Sequence, residues 1–175
     1  MYQQDAVGSD CEDHRIHRKS PMQLETYLSP DLVLILDDVA TIEALVHRLA
    51  EVAATQFRDL DAARIEAALQ EREQQAPTST PEGVGFPHAL LPQVDHTVVV
   101  VARAPAGVPT SAAKHPPVDL VFCMVGGAEE PWRHVRLLAR IARIARGSGA
   151  LERLRKADTP EALYEALVQE DRSHV

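Results

Sequence analysis

The sequence predicts a single α/β domain in which helices cover a β-sheet. Short apolar segments rich in β-branched residues are typical of buried strands, and they alternate along the chain with longer segments that carry apolar residues at helical spacing. The chain has 175 residues, of which 45% are hydrophobic, so it is long enough for one full core and too short for two ordinary domains. Only 4% of the residues are aromatic, so Leu, Val, Ile and Ala must build that core.

The first predicted elements are a strand and two helices. Residues 32–36 are short, apolar and bounded by acids, as in a buried strand. Asp37 or Asp38 is expected to cap a helix that runs to about residue 55, because apolar residues recur there on one face. A second helix is expected over 60–75, with Asp59 as its cap, and it ends before Pro77.

A loop and two central strands follow. Residues 76–92 are dense in Pro, Thr, Ser and Gly, and the apolar pair Val84 and Phe86 within them indicates a structured loop with a short strand. Residues 97–102 and 118–125 are β-branched and flanked by Pro or Gly, as central strands are. Helices are predicted over 130–146 and 151–156, and Thr159 with Pro160 begins the last one.

Composition excludes several functions. The formal net charge of -8 repels polyanions, and basic residues cluster on one helix only, so neither nucleic acid nor an acidic membrane surface is an expected partner. No signal peptide and no membrane-spanning run is present, so we expect a cytoplasmic protein that is not membrane-embedded. Cys11 and Cys123 are expected to be free thiols, because a disulfide would tie a polar tail to a buried strand.

The N-terminal segment differs from the rest of the chain. Residues 1–21 have no hydrophobic periodicity and many polar residues, so they are predicted to be a disordered leader before a domain over 22–175. Patterned sequence begins at Leu24, so translation could start at Met1 or at Met22.

Residues 83–89 (GVGFPHA) are the most informative segment for function. They place His88 on a turn stiffened by Pro87, after two glycines whose backbone N–H groups can approach an anion. A neutral imidazole is nucleophilic near pH 7, and the N–P bond that it forms can pass its phosphoryl group onward. A surface histidine without a task is an equally good interpretation of this spacing alone.

A second histidine strengthens the hypothesis. Helical projection of 130–146 places His134 in the first turn, near the centre of the apolar face, where it could converge with His88 at the positive end of the helix. A satisfied core histidine is the alternative. Arg72 and Thr78 could donate to a phosphoryl group, although a solvated residue and a turn former are the simpler interpretations.

The residues above resemble a known family. From about residue 24 to 169 the chain resembles the fructose/mannitol type of IIA domain of the bacterial phosphotransferase system, including its stand-alone nitrogen-regulatory members. The resemblance is carried by the Arg72-Glu73 pair, by Thr78, by the Gly-Val-Gly-Phe-Pro-His segment that ends at His88, and by WRHVRLLARIAR over 132–143. Two positions depart from the family pattern, because Ala76-Pro77 replaces a Gly-Ser turn and Gly85 replaces an alanine.

This resemblance implies a fold and a reaction. It implies a mixed sheet flanked by helices on both faces, and phosphoryl transfer from a phosphorylated histidine phosphocarrier protein to His88 as nucleophile. His134 is then the second active-site histidine, while Arg72, Thr78 and the backbone at Gly85 hold the phosphoryl oxygens. No cofactor and no metal are expected. The next partner is a IIB domain or a regulated target protein.

Two alternatives remain open beside the transferase. One is a nitrogen-regulatory type of binding protein whose phosphorylation state only selects its partner, and the other is a degenerate scaffold that retains the fold. A metal site is less favoured, because the histidines lack tight ligand spacing. The histidines concerned are His88, His96, His115 and His134.

Overall fold

The computed structural model describes residues 22–173 with the exception of residues 93 and 113. The predicted leader, including Cys11, lies outside the described residues. A five-stranded sheet has the order β1-β4-β5, with β2 and β3 both paired to the outer side of β5. The strands are β1 (Val33–Ile35), β2 (Val84–Gly85), β3 (His88–Leu91), β4 (Val98–Val108) and β5 (Val118–Gly127).

The sheet is mixed, as expected. Strands β4 and β5 are antiparallel, whereas β1 runs parallel to β4, and β2 and β3 run parallel to β5. Every residue from 98 to 102 and from 120 to 126 is buried. Because successive strand side chains point to opposite faces, this continuous burial means that helices cover both faces of the sheet. The α/β fold predicted from the sequence is confirmed.

Five helices pack on this sheet. They are α1 (Ile42–Ala54), α2 (Ala62–Gln75), α3 (Pro131–Ala145), α4 (Ala150–Arg155) and α5 (Pro160–Ser173). The prediction that Asp37 or Asp38 caps α1 was wrong, because the Thr41 hydroxyl accepts the hydrogen bond from the N–H of Ala44. Val39 is buried ahead of this cap, so the chain is held against the core before the helix begins.

The start of α2 also differs from the prediction. Asp61, rather than Asp59, is the cap, and its carboxylate accepts a hydrogen bond from the N–H of Arg64 at 2.8 Å. Leu60 before the cap and Ile65 in the first turn are both buried. Apolar residues at these two positions typically pack together and fix where a helix starts. The end of α2 at Gln75 agrees with the prediction.

Strand β4 is longer than predicted and continues through Pro105 to Val108. Its register with β5 is irregular between Arg103 and Val108. Gly107 has a φ of +73° there, a conformation that favours glycine. The Pro-Ala-Gly sequence therefore marks an irregularity within the strand rather than its end.

The loop before His88 contains a small hairpin. The N–H of Thr80 donates to the carbonyl of Val84 at 2.8 Å, and the N–H of Phe86 donates to the carbonyl of Thr78 at 3.1 Å. Ser79 and Gly85 form an antiparallel bridge between these bonds. The short strand predicted in this loop is confirmed as β2, and His88 begins the next strand, β3.

Two buried carboxylates fix the C-terminal helix. Asp171 is 1% exposed and pairs with the guanidinium of Arg140 on α3. Its second oxygen accepts a hydrogen bond from the backbone N–H of Leu24 at 2.8 Å. The adjacent Glu170 pairs with Arg153 on α4. The backbone at Leu24, α3, α4 and α5 are thereby joined through two neighbouring side chains.

The remaining sequence expectations concern the thiol and the membrane. Cys123 is a free, fully buried thiol on β5, and burial raises its pKa to about 12. Such a thiol is inert as a nucleophile at neutral pH. Within the described residues, none of the helices is both long enough and apolar enough to span a bilayer.

Candidate functional site

His88 stands at the start of β3 with a defined ring orientation. Its Nδ1 lies 2.8 Å from the carbonyl oxygen of Phe86. A carbonyl oxygen can only accept, so Nδ1 carries the proton, and in the neutral ring Nε2 keeps its lone pair. Phe86 is itself held in place, because its ring stacks on buried Phe122 with the centroids 5.9 Å apart. The backbone thus selects the tautomer with a nucleophilic Nε2.

Arg72, in the last turn of α2, lies against that nitrogen. Its Nε donates to Nε2 of His88 at 3.0 Å, and its Nη1 donates to the carbonyl of Ala76 at 3.0 Å. The second contact folds the guanidinium back over the end of its own helix. A planar cation is therefore held at the nucleophilic atom, where an incoming anion would meet it.

His134 approaches His88 from α3. The two ring centroids lie 5.3 Å apart, and the rings are inclined at 47°. His134 is only 4% exposed, and neither of its ring nitrogens has a hydrogen-bond partner within the part of the chain that the structure describes. Buried polar groups are nearly always hydrogen-bonded, so this ring is ready to engage an additional group. The expected convergence of the two histidines is present in the structure.

Both imidazoles are neutral at pH 7. Burial and, to a smaller extent, the nearby His88 together lower the pKa of His134 to about 4. The pKa of His88 is also lowered, chiefly by burial and to a smaller extent by Arg72, while the Phe86 carbonyl and Glu73 oppose the shift. A neutral His88 retains its lone pair, and a neutral His134 offers one N–H donor and one acceptor.

Glycine at position 126 makes room for this arrangement. A Cβ atom there would lie 2.8 Å from Oγ1 of Thr97 and 3.4 Å from Nδ1 of His134. Thr97 is itself 8% exposed, so it has little space in which to move away. A glycine inside a strand often marks such a close approach.

The other two predicted phosphate-binding residues have different surroundings. The hydroxyl and the N–H of Thr78 both donate to the carboxylate of Glu73. Gly85 is buried in β2, where a Cβ would lie 3.1 Å from the Val118 side chain, so its small size suits the packing against β5. Their contact with a phosphoryl group stays a prediction.

Three basic side chains of α3, those of Arg133, Arg136 and Arg140, have different partners. Arg140 pairs with buried Asp171, and Arg133 pairs with Glu130 at 2.8 Å. The guanidinium carbons of Arg133 and Arg136 lie 5.5 and 6.0 Å from the centroid of the Trp132 ring. Arg140 therefore belongs to a core ion pair, whereas Arg133 and Arg136 belong to a cation–aromatic cluster at the start of the helix.

No cluster of three or more His, Cys, Asp or Glu side chains with metal-binding geometry occurs among the described residues. The polar groups that the structure places around His88 are instead the Arg72 guanidinium, the His134 imidazole and the Phe86 carbonyl. Because the guanidinium lies at Nε2, the free side of the ring suits an anion rather than a cation.

Sequence reasoning assigned no role to Glu73 or to Gly126. The sequence signal for Glu73 was its position beside Arg72 in the last turn of α2, close to the Thr78 segment. The signal for Gly126 was a Gly-Gly pair directly after an apolar strand, which indicates close backbone approach as readily as a strand end.

Comparison with known proteins identifies the family. Residues 26–170 match the family described as "Phosphoenolpyruvate-dependent sugar phosphotransferase system, EIIA 2". The chain belongs to this family of IIA proteins.

Its relatives include both regulatory and sugar-specific proteins. The chain is 29% identical over 147 residues to a nitrogen regulatory protein of Pseudomonas aeruginosa, covering 84% of this chain and 96% of that protein. It is 28% identical over 148 residues to the fructose-specific EIIA component of the phosphotransferase system of Haloferax volcanii, covering 83% and 95%.

Solved structures share the fold. The nitrogen regulatory protein IIA-Ntr of Neisseria meningitidis superposes with a TM-score of 0.72 at 22% identity, covering 79% of this chain and 94% of that one. The mannitol IIA protein of Escherichia coli gives a TM-score of 0.66 at 21% identity, covering 80% and 98%.

Proposed function

We propose that this protein is a histidine phosphocarrier of the phosphotransferase system, in which Nε2 of His88 accepts a phosphoryl group from a phosphorylated histidine phosphocarrier protein. One observation carries the proposal: the Phe86 carbonyl holds the proton on Nδ1, which leaves the Nε2 lone pair facing Arg72. The P–N bond of the donor breaks as the bond from phosphorus to Nε2 forms. Such a step depends mainly on positioning and on charge stabilisation.

Arg72 and His134 are the stabilising groups in this proposal. When phosphorus bonds to Nε2, Arg72 exchanges the ring nitrogen for a phosphoryl oxygen as its acceptor. His134 turns its N–H toward a second oxygen, which supplies the partner that its buried ring lacks. Thr78 and the backbone at Gly85 remain candidates for further contacts, with Thr78 exchanging Glu73 for the phosphoryl group.

Exposed apolar side chains close in the sequence to the two histidines support a protein as the phosphoryl donor. Three large apolar side chains are exposed near the histidine pair: Leu90 at 38%, Trp132 at 46% and Val135 at 65%. Leu90 lies two residues after His88 on β3, in register with Gly126, and the other two flank His134 in the sequence. Exposed apolar clusters beside a reactive group suit docking of a partner.

The destination of the phosphoryl group separates two versions of the function. In one, His88 passes the group to a IIB domain, as suggested by a solved complex of the mannitol IIA protein with phosphorylated IIB from Escherichia coli, which has the same fold. In the other, the phosphorylation state controls a regulated target protein, as suggested by relatives named nitrogen regulatory protein. Either function suits a cytoplasmic protein.

One experiment tests the proposal and separates these versions. The protein is incubated with phosphoenolpyruvate, enzyme I and the phosphocarrier protein, and its intact mass is measured with and without His88→Ala. A gain of one phosphoryl group in the wild type only supports the phosphocarrier. Loss of that group on addition of IIB proteins supports transfer, whereas retention supports the regulatory version. An unlabelled wild type would leave the degenerate scaffold as the better hypothesis.

A further inference from the structure

We propose that Glu73 is a positioning residue for His88, acting through Thr78 and the carbonyl of Phe86. This role of Glu73 goes beyond the phosphocarrier function. Its expected effect on the rate of phosphorylation rests on that function. Its effect on the His88 ring does not depend on that function.

The first step is the contact between Glu73 and Thr78. The N–H of Thr78 lies within hydrogen-bond distance of both carboxylate oxygens, at 3.1 and 3.3 Å, and the Thr78 hydroxyl donates to Oε2 at 2.5 Å. Hydrogen bonds to an ionised carboxylate are roughly twice as strong as neutral ones. Glu73, near the end of α2, therefore fixes Thr78 at the start of the small hairpin.

The second step runs through the hairpin backbone. The carbonyl of Thr78 accepts the N–H of Phe86 at 3.1 Å. The carbonyl of the same Phe86 faces Nδ1 of His88 at 2.8 Å. The N–H and the ring of Phe86 are held, and Pro87 restricts the backbone of the residue before it, so the Phe86 carbonyl has little freedom to turn away. The Glu73 carboxylate thus reaches the protonated nitrogen of His88 through two backbone links.

The third step is the position of Arg72 beside Glu73. One turn of α2 supplies the guanidinium at Nε2 and the carboxylate that, through the hairpin, orients Nδ1. The two ring nitrogens are therefore set by neighbouring residues on a rigid element. Hydrogen bonding to one ring nitrogen determines which nitrogen remains free to react.

The test compares three substitutions with a matched control. Glu73→Ala removes both carboxylate oxygens to which the N–H and the hydroxyl of Thr78 donate. Glu73→Gln keeps one oxygen as an acceptor. Thr78→Val removes only the hydroxyl donor. Glu71→Ala removes the same charge from an exposed position of the same helix. The measurements are the ¹⁵N chemical shifts of the His88 ring at pH 7.5, the rate of phosphorylation by the phosphocarrier protein, and the melting temperature.

The expected result is a graded change in the His88 ring. Glu73→Ala shifts the two nitrogen resonances toward the values of mixed tautomers and slows phosphorylation about fivefold, the factor that corresponds to one ordinary hydrogen bond. Glu73→Gln and Thr78→Val lie between this variant and the wild type. Glu71→Ala matches the wild type in all three measurements.

Several outcomes would overturn the assignment. Wild-type nitrogen shifts in Glu73→Ala, with or without a lower melting temperature, would reduce Glu73 to a structural residue of the loop. If that variant does not fold, wild-type shifts in both milder variants would have the same meaning. Altered shifts in a protein that accepts no phosphoryl group would reject the proposed function and retain the positioning role of Glu73.

Discussion

The imidazole of His88 and the buried imidazole of His134 lie 5.3 Å apart between ring centroids, on a strand and a helix that are distant in the sequence. One ring has both nitrogens engaged, by Arg72 and by the Phe86 carbonyl. The other has no described partner for either nitrogen. The pair therefore combines a fixed nucleophile with a second polar group that gains a partner when an anion arrives.

Unequal losses are expected when the two histidines are replaced. His88→Ala removes the nucleophile and should abolish phosphorylation, because no neighbouring side chain can take its place. His134→Ala removes one donor and should leave labelling measurable but slowed about 10²-fold to 10³-fold, as for loss of a group that stabilises transferred charge. Single-turnover labelling with the phosphorylated phosphocarrier protein measures both. Equal losses would contradict these roles.

Stability should fall in acid because of His134. Its pKa is about 4 in the folded protein and near 6.5 in the unfolded chain, so between these values the unfolded state binds more protons. The contribution of His134 to the free energy of unfolding should therefore rise from pH 4 to pH 6.5. Above pH 6.5 this contribution should not change further. The difference between the two pKa values corresponds to about 3 kcal/mol.

Urea denaturation across this pH range measures the effect. The curve of His134→Gln should be flatter than that of the wild type. Parallel curves for wild type and His134→Gln would show that the buried imidazole does not cause the acid dependence.

Gly126→Ala should destabilise the protein by about 1–3 kcal/mol, as overpacking of a filled interior does. The added Cβ would lie 2.8 Å from the Thr97 hydroxyl oxygen. Thr97→Ala removes that oxygen, so the double variant should lose less stability than the sum of the two single variants. Chemical denaturation of all three variants checks this, and strictly additive losses would contradict the steric explanation.

Asp171→Ala, which removes a buried carboxylate, should lower the free energy of unfolding by about 3–5 kcal/mol. The Arg140 guanidinium is then left without its charged partner inside the protein. The backbone N–H of Leu24 also loses its acceptor. Glu165→Ala, at an exposed position of the same helix, should change stability by less than about 0.5 kcal/mol. Thermal and urea unfolding of the two variants should separate them clearly, and similar values would argue against the ion pair.

Trp132→Ala should weaken docking of the phosphoryl donor without destabilising the fold. The indole is 46% exposed and lies beside the guanidinium groups of Arg133 and Arg136. Exposed aromatic anchors commonly dominate protein interfaces, so KM for the phosphorylated phosphocarrier protein should rise about tenfold with little change in kcat. Tyr164→Ala, on α5, is the control, and an unchanged KM in Trp132→Ala would place the docking face elsewhere.

Much of the fold could be predicted from hydrophobic periodicity. The strands and helices were found because their apolar spacing reflects the face that each one buries. The predicted caps were wrong because Asp37, Asp38 and Thr41 compete near the start of α1, and Asp59 and Asp61 compete near the start of α2. The residue that caps each helix depends on how Val39 and Leu60 are buried in the core, and that packing is not visible in the sequence. The extension of β4 through Pro105 also depended on pairing with β5.

The main residues of the candidate site could be predicted from the sequence, but the hydrogen bonds that join its elements could not. His88, His134 and Arg72 were identified from their segments, and the structure brings all three together. The bond between Glu73 and Thr78 was not predicted, because it depends on how the end of α2 meets the following hairpin. The spacing of residues along the sequence gives no information about the angle between α2 and the hairpin.

The break between β2 and β3 has a consequence for self-association. This side of the sheet consists of the two-residue β2, whose outer edge pairs with residues 78–80, and of the four-residue β3, and the opposite side is the three-residue β1. A long, flat outer strand would offer a continuous row of free backbone groups to another chain. The break that places His88 at the start of β3 therefore also leaves only short stretches of backbone open to edge-to-edge pairing.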